Sequence, residues 1–388
     1  MPIRPTSVLL AAGITVLAGC GAPAGSADIQ ERSEGSAGSA NPTVASSEPA
    51  AGTTPAGTAA PSNPPVSPPS PAPPTTPATP ATPAVPLGTR NPSVHVTIAV
   101  PQYDAPGAPV QVIVTAAGAK DVDVDVAVDG NAGQCVGGMW TQRTGTSRRC
   151  WITLPTTPGT HTITARARLG DRYGVGTKKI EAKGPNGGAV DAATRDRILT
   201  CGNTTRDVWL TFDDGFLDES TMRTMLTALR RENVQARFFA MGQWARANPR
   251  MVAAIRSEGH LIENHTDTHE SLNEVDAATL RSQIERGPSS DATLLRPGFG
   301  AGAFTRRVTD EAARVGQDVC YWDVDTRDWS RPGVDAIIDR ALRGDSYTPP
   351  AHPGSVILMH MTNPQTARAL PGLIRSLRAE GLTLPPLH

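Results

Sequence analysis

Apolar and polar positions follow two different rhythms along this chain. From about Ser93 to Lys183 the apolar residues recur at every second position. Val94, Val96 and Ile98 alternate, as do Val110, Val112 and Val114, then Val122, Val124, Val126 and Val128, then Ile163, Ala165 and Ala167. Period two marks strands with one buried face. With turn signals such as Asp129-Gly130 between them, these strands predict a small all-β, immunoglobulin-like sandwich over 92–184. After a connection at 185–206, in which Asp196 to Leu199 suggests a helical turn, the rhythm changes. Val208-Trp209-Leu210, Val234 to Ala240, His260-Leu261-Ile262, Thr293-Leu294-Leu295, Asp318 to Asp323 and Ser355 to His360 read as strands. Between them lie helical faces. Met222, Met225, Leu226 and Leu229 form one behind an Asp218 cap. Val252 and Ile255 form the next, with Asn248 as N-cap, Pro249 at the first position and Gly259 at the end. Asp276 caps a third, and Phe304 to Gly316, Gly333 to Leu342 and 364–380 complete the series. Alternation of this kind predicts an α/β domain over 207–388, as a barrel or a doubly wound sheet.

The beginning of the chain has neither rhythm. Residues 21–91 are rich in Pro, Ala, Thr and Ser and nearly free of large apolar side chains, so no core can offset the entropy of ordering. The segment 61–86 should be extended and could reach on the order of 80 Å, a disordered stalk. Residues 1–20 combine Arg4 with the apolar run Val8 to Leu17, too short to span a bilayer and typical of an export signal. Its end, Leu17-Ala18-Gly19-Cys20, resembles the bacterial lipoprotein signal, which implies lipid on Cys20 and a membrane anchor facing the cell wall. A net charge of −1 and the lack of a basic arm give no reason to expect nucleic acid as a partner. A monomer is expected.

Export changes the reading of the cysteines. Cys135 and Cys150 are expected to pair and to stabilise their loop by roughly 3 kcal/mol. Trp140 and Trp151 nearby are read as packing residues rather than a sugar-binding face. Arg143, Arg148 and Arg149 make that loop basic, a candidate contact for an acidic wall polymer. His95 and His161 are read as structural. Cys201 and Cys320 have two readings, a disulfide if the fold brings them together or a thiolate ligand.

Candidate chemistry begins at Thr211-Phe212-Asp213-Asp214-Gly215. A strand ending in two acids and a glycine places both carboxylates at its C-terminal mouth, facing different ways. His265-Thr266-Asp267-Thr268-His269 comes after a later strand. Two histidines four apart can share a helical turn and, with one carboxylate, hold a metal with open positions.

Together these blocks resemble the polysaccharide deacetylase family, also called NodB-homology or carbohydrate esterase family four. Arg296-Pro297-Gly298-Phe299-Gly300, Asp325-Thr326-Arg327-Asp328-Trp329 and Val356-Ile357-Leu358-Met359-His360 match further family blocks in family order. The resemblance covers roughly 205–385 and implies a distorted (β/α) barrel of seven or eight strands. It implies a metal-dependent hydrolase that removes acetyl groups, with Asp214, His265 and His269 binding a divalent metal, zinc above all. By position, Asp213 would be the general base and Arg296 would orient it. His360 would be the general acid, paired with Asp328. The backbone N–H of Phe299 would hold the oxyanion, and Trp329 would wall the acetyl methyl. Asn264 would support the ligands from behind, whereas Trp209 and Trp322 are expected to pack. This chain departs from the family at Gly298, Phe299 and Met361. The expected substrate is peptidoglycan N-acetylglucosamine. An O-acetyl esterase, a wall-binding lipoprotein without turnover, and an adhesion role for the β domain are the alternatives.

Overall fold

The computed structural model describes residues 89–387 apart from 92–93, 101–104, 119–121 and 143–144. The signal segment, Cys20, most of the Pro-rich stretch and Arg143 therefore lie outside the described residues.

The first described strands are β1 (Thr89–Arg90), β2 (Val96–Ala99), β3 (Pro109–Ala116), β4 (Asp123–Val128), β5 (Asn131–Ala132), β6 (Gln134–Gln142), β7 (Gly145–Thr153), β8 (Gly159–Leu169) and β9 (Arg172–Ala182). They form two sheets, of order β1-β9-β8-β4-β5 and β2-β3-β7-β6. Val110, Val112 and Val114 of one sheet meet Val124, Val126, Ile163 and Ala165 of the other in one core, as the alternation requires. Cys135 and Cys150 stand opposite each other on β6 and β7 and are disulfide-bonded. His161 Nδ1 lies 2.6 Å from Asp129 Oδ2, which ties the strand to the Asp129-Gly130 turn.

The second part comprises α1 (Ala192–Leu199), β10 (Trp209–Asp214), α2 (Glu219–Arg231), β11 (Arg237–Ala240), α3 (Gly242–Ala247), α4 (Pro249–Ser257), β12 (Leu261–Asn264), α5 (Ala277–Glu285), β13 (Leu294–Leu295), α6 (Arg306–Arg314), β14 (Asp318–Val319), β15 (Val324–Asp325), α7 (Val334–Arg343), β16 (Val356–His360) and α8 (Pro364–Ala379). The strands make one parallel sheet of order β14-β13-β12-β11-β10-β16-β15. Its two edge strands are consecutive in sequence and joined only by residues 320–323. That connection reaches on the order of 17 Å, whereas seven strands laid flat would span about 29 Å. The sheet must therefore curl into an incompletely closed barrel. Phe212 and Phe238 stack at 5.0 Å in the core between this sheet and its helices.

Several elements differ from the sequence reading. The strand expected over Asp318 to Asp323 is two strands on opposite edges. The intervening Cys320 is disulfide-bonded to Cys201, and Tyr321 O accepts from Arg296. The helical turn expected from Asp196 is the full helix α1, capped by Asp191, whose side chain accepts from Thr194 N at 2.9 Å. Helix α3 has no side-chain N-cap, so it left no start signal. Asn248 does not cap α4 with its side chain. Its Nδ2 donates to Trp244 O at 2.9 Å and closes α3 instead.

The expected basic loop is also corrected. Arg148 and Arg149 lie within β7, and Arg149 Nη2 donates to Asp323 O at 3.0 Å in the barrel. Trp151 meets Phe304 edge-on at 5.0 Å and sits under Arg195. Arg149 and Trp151 thus face the barrel.

Candidate active site

Four parallel strands in register deliver the reacting groups to one edge. Asp213 and Asp214 end β10, and Asp213 is level with His360 at the end of β16. On the other side β11 and β12 carry Ala240 and Asn264 level with Asp214. His265 comes directly after, its N–H donating to Ala240 O at 3.0 Å. Arg296 comes directly after β13, its N–H donating to Asn264 O at 2.8 Å. These positions lie at the carboxyl ends of the strands, where the last side chains and the adjoining loops converge.

Asp214, His265 and His269 come together. Each histidine Nε2 lies 3.5 Å from Asp214 Oδ1, and the three donor atoms fall within 4.8 Å of one another. The histidines do not share a helical turn, because Thr266 (φ 64°) and His269 (φ 68°) are left-handed. A looped segment makes the pair converge instead. Asn264 Oδ1 accepts from Thr266 N at 2.8 Å, and Thr266 Oγ1 accepts from His269 N at 3.1 Å. Asn264 also donates to Ile284 O and Gln317 Oε1, both at 2.9 Å, so it supports the loop as expected of it.

This donor set fits a divalent cation. His265 Nδ1 is 2.8 Å from the Arg296 carbonyl, which accepts only, so the ring proton belongs there and the Nε2 lone pair faces the cluster. Burial brings the His269 imidazole down to about 4, leaving it neutral and able to ligate near neutral pH. Burial alone would raise the Asp214 carboxyl, but the His265, His360 and His269 rings outweigh it and hold it at about 2. Burial alone would lower His265, but the Asp213 and Asp214 carboxylates outweigh it and raise the imidazole, whose added proton a bound cation would displace. One carboxylate and two imidazoles make a two-histidine, one-carboxylate donor set.

Asp213 faces the same space. Its Oδ1 accepts from Arg296 Nη1 at 2.6 Å, while Oδ2 lies 3.8 Å from His265 Nε2. Arg296 is fully buried. It also donates to Thr211 Oγ1 at 2.9 Å, Tyr321 O at 2.8 Å and the Cys320 sulfur at 3.3 Å, with its guanidinium over the Phe239 ring. Opposite, His360 Nδ1 is 2.7 Å from Asp328 Oδ1. Asp328 Oδ2 accepts from the His360 N–H at 2.8 Å and from Thr366 Oγ1 at 2.5 Å, and Asn363 Nδ2 holds the Asp328 carbonyl at 2.6 Å.

Phe299 sits at φ 59° on the 3₁₀ turn Gly298–Gly300, its ring 65% exposed and edge-on to His269 at 4.3 Å. Trp329 is 59% exposed on a second such turn, Asp328–Ser330. A Cβ on Gly298 would lie 3.1 Å from His269 Cδ2, so glycine relieves crowding against that ring. The Met361 side chain is buried in the apolar core, and its N–H donates to Asp213 O at 3.0 Å. Trp322 is buried and Trp209 is partly buried beneath the Arg237 guanidinium.

Thr211, Asn363 and Thr366 were not anticipated. Thr211 stands in the Asp213-Asp214 block, but nothing local gives it a role, and only the α8 N-terminus, capped by the Asn363 side chain, brings Asn363 and Thr366 to Asp328.

Comparison with known proteins accords with this geometry. The sequence profile of polysaccharide deacetylase matches residues 202–319. A chitooligosaccharide deacetylase of Rhizobium leguminosarum bv. trifolii is 31% identical over 206 residues, which are 48% of this chain and 92% of that protein. A peptidoglycan-N-acetylglucosamine deacetylase of Bacillus cereus is 34% identical over 195 residues, 47% of this chain and 68% of its own length. The peptidoglycan-N-acetylmuramic acid deacetylase PdaA of Bacillus subtilis is 28% identical over 191 residues, 47% of this chain and 70% of that protein. On this similarity and on its matching blocks, the chain belongs to the polysaccharide deacetylase family.

Proposed function

We propose that this chain hydrolyses N-acetyl groups of amino sugars in a cell-envelope polysaccharide, with peptidoglycan N-acetylglucosamine as the first substrate. The observation that carries the reading is the placement of Asp213 and His360 at one level of adjacent strands, beside the Asp214-His265-His269 cluster. An amide needs both a base for the attacking water and an acid for the departing amine.

In this reading Asp214, His265 and His269 hold zinc. When bound, such a cation polarises the acetyl carbonyl and acidifies water. Asp213 accepts the water proton. Arg296 occupies its Oδ1, which directs Oδ2 toward the cluster. The Phe299 N–H supports the negative charge that develops on the carbonyl oxygen. His360 protonates the leaving amine. Its Nδ1 is engaged by Asp328, so Nε2 carries the proton to be delivered. Trp329 walls the acetyl methyl. Export, lipid on Cys20 and a monomer anchored in the cell membrane facing the wall complete the proposal.

The test is mass spectrometry of muropeptides from cells with and without the gene. Loss of one acetyl group from the glucosamine that depends on the gene supports the reading. Purified protein that releases acetate from acetyl-xylan and none from wall glycan or chitooligosaccharide overturns it.

A further inference from the structure

The loop that carries Asp328 is held by α7 and the segment that follows it, and that segment is held in turn from the sandwich. Arg327, immediately before it, is left-handed at φ 48°, and Arg331, just after the 3₁₀ turn, is left-handed at φ 52°. Non-glycine residues stay in that region only where their surroundings over-determine them. Here the surroundings can be traced. The Arg327 guanidinium pairs with the Asp345 carboxylate and lies 4.6 Å from the Tyr347 ring centre. Arg340 Nε is 3.6 Å from the same carboxylate, and its Nη1 donates to Thr326 O at 2.9 Å and to Arg327 O at 3.4 Å. The segment is pinned at its base as well, where Asp325 N donates to Thr348 Oγ1 at 2.9 Å and Asp345 N to Thr348 O at 2.8 Å.

The last link crosses to the other domain. The Asp345 carbonyl accepts from Trp140 Nε1 at 3.1 Å. Trp140 lies on β6 of the sandwich, 8% exposed and packed with Ala99 and Ile113. Its indole N–H thus gives the sandwich a hydrogen bond to the segment that pairs with Arg327.

We infer that Trp140 and Asp345 are positioning residues for the Asp328–His360 pair, so that the β-sandwich is part of the deacetylase machinery and not an appended module. This rests on the proposed role of His360 as the general acid. The chain of contacts runs from Trp140 to Asp345, from Asp345 to Arg327, and along one peptide bond to Asp328. Each contact narrows the freedom of a loop whose backbone would otherwise relax.

Trp140→Phe tests this in the full chain, because it keeps the packed ring and removes only the N–H. Asp345→Asn removes the charge that Arg327 and Arg340 share. Both should lower kcat, W140F by about threefold to tenfold, with KM little changed. The alkaline limb of the kcat–pH profile should move to lower pH. Asp345→Glu, which keeps the charge, should recover part of the loss. Arg195→Met loosens the same domain contact at Trp151 without touching the acid loop and should leave that limb in place.

Hydrogen exchange supplies a readout that needs no turnover. Amides of 326–331 should exchange about tenfold faster in W140F and D345N, with the rest of the barrel unchanged. Unaltered exchange there overturns the inference even if activity falls. A wild-type protein that releases no acetate overturns the proposed function, while the exchange comparison still decides the positioning role. Should D345N not fold, W140F decides alone.

Discussion

His360 Nδ1 lies 2.7 Å from the fully buried carboxylate of Asp328, and that carboxylate also accepts the His360 backbone N–H. Burial alone would depress the imidazole. The carboxylates of Asp328, Asp213 and Asp214 outweigh it and raise His360 to about 9. As a general acid His360 works protonated, so activity is present below that value and is lost as pH rises through it. Asp328→Asn removes the foremost of these charges. The alkaline limb of kcat should therefore move to lower pH, with the acid limb unmoved. An unshifted alkaline limb in D328N would show that His360 is not the acid.

Asp213→Asn should lower kcat by about 10²–10⁴-fold, the usual range for a positioned base. Metal content, measured by elemental analysis, should stay as in wild type, because Asp214 and the histidines remain. Loss of metal together with activity would place Asp213 among the ligands.

Removing Asp213's partner has a different signature. Arg296→Met leaves a carboxylate buried without its cation, and breaking such a pair costs about 3–5 kcal/mol. Urea unfolding of R296M should show that loss.

The metal should stabilise the fold as well as the chemistry. Zinc at a hundredfold excess over its Kd adds about 2.7 kcal/mol if it binds only the native state. The melting temperature of chelator-stripped protein should rise on adding zinc, and His269→Ala should abolish most of that rise. Equal rises in H269A and wild type would remove His269 from the ligand set.

The two disulfides should differ in weight. Cys201–Cys320 spans 119 residues and Cys135–Cys150 spans 15. Loop-closure entropy gives about 4–5 kcal/mol for the longer and about 3 for the shorter. Paired Cys→Ser variants, compared by urea unfolding, should rank in that order. C201S/C320S should also lose activity, since the Cys320 sulfur accepts a hydrogen bond from Arg296.

Much of this site was legible because its residues end strands. The run before Asp213 is apolar and short, and so is the run before His360, so the period of the pattern placed both correctly on strands. Loops beyond the strand ends were harder to read. His265 and His269 have helical spacing, yet Thr266 and His269 are left-handed, and spacing alone carries no φ. Asp318 to Asp323 looked continuous because apolar content does not reveal that two short strands pair with different neighbours. Arg149 looked like part of a basic surface loop because a charge count cannot see Asp323 O behind it. Thr211 and Thr366 act through hydrogen bonds to partners 85 and 38 positions away, a distance no local pattern spans.

Phe299 and Trp329 stand on short turns beyond the sheet, whereas Asp213, Asp214 and His360 are the final residues of their strands. Such a division means that either exposed ring can be exchanged without altering a strand. The spacing of Asp213, Asp214 and His360 is spared, because it is set by the register of the β-ladder and not by the turns.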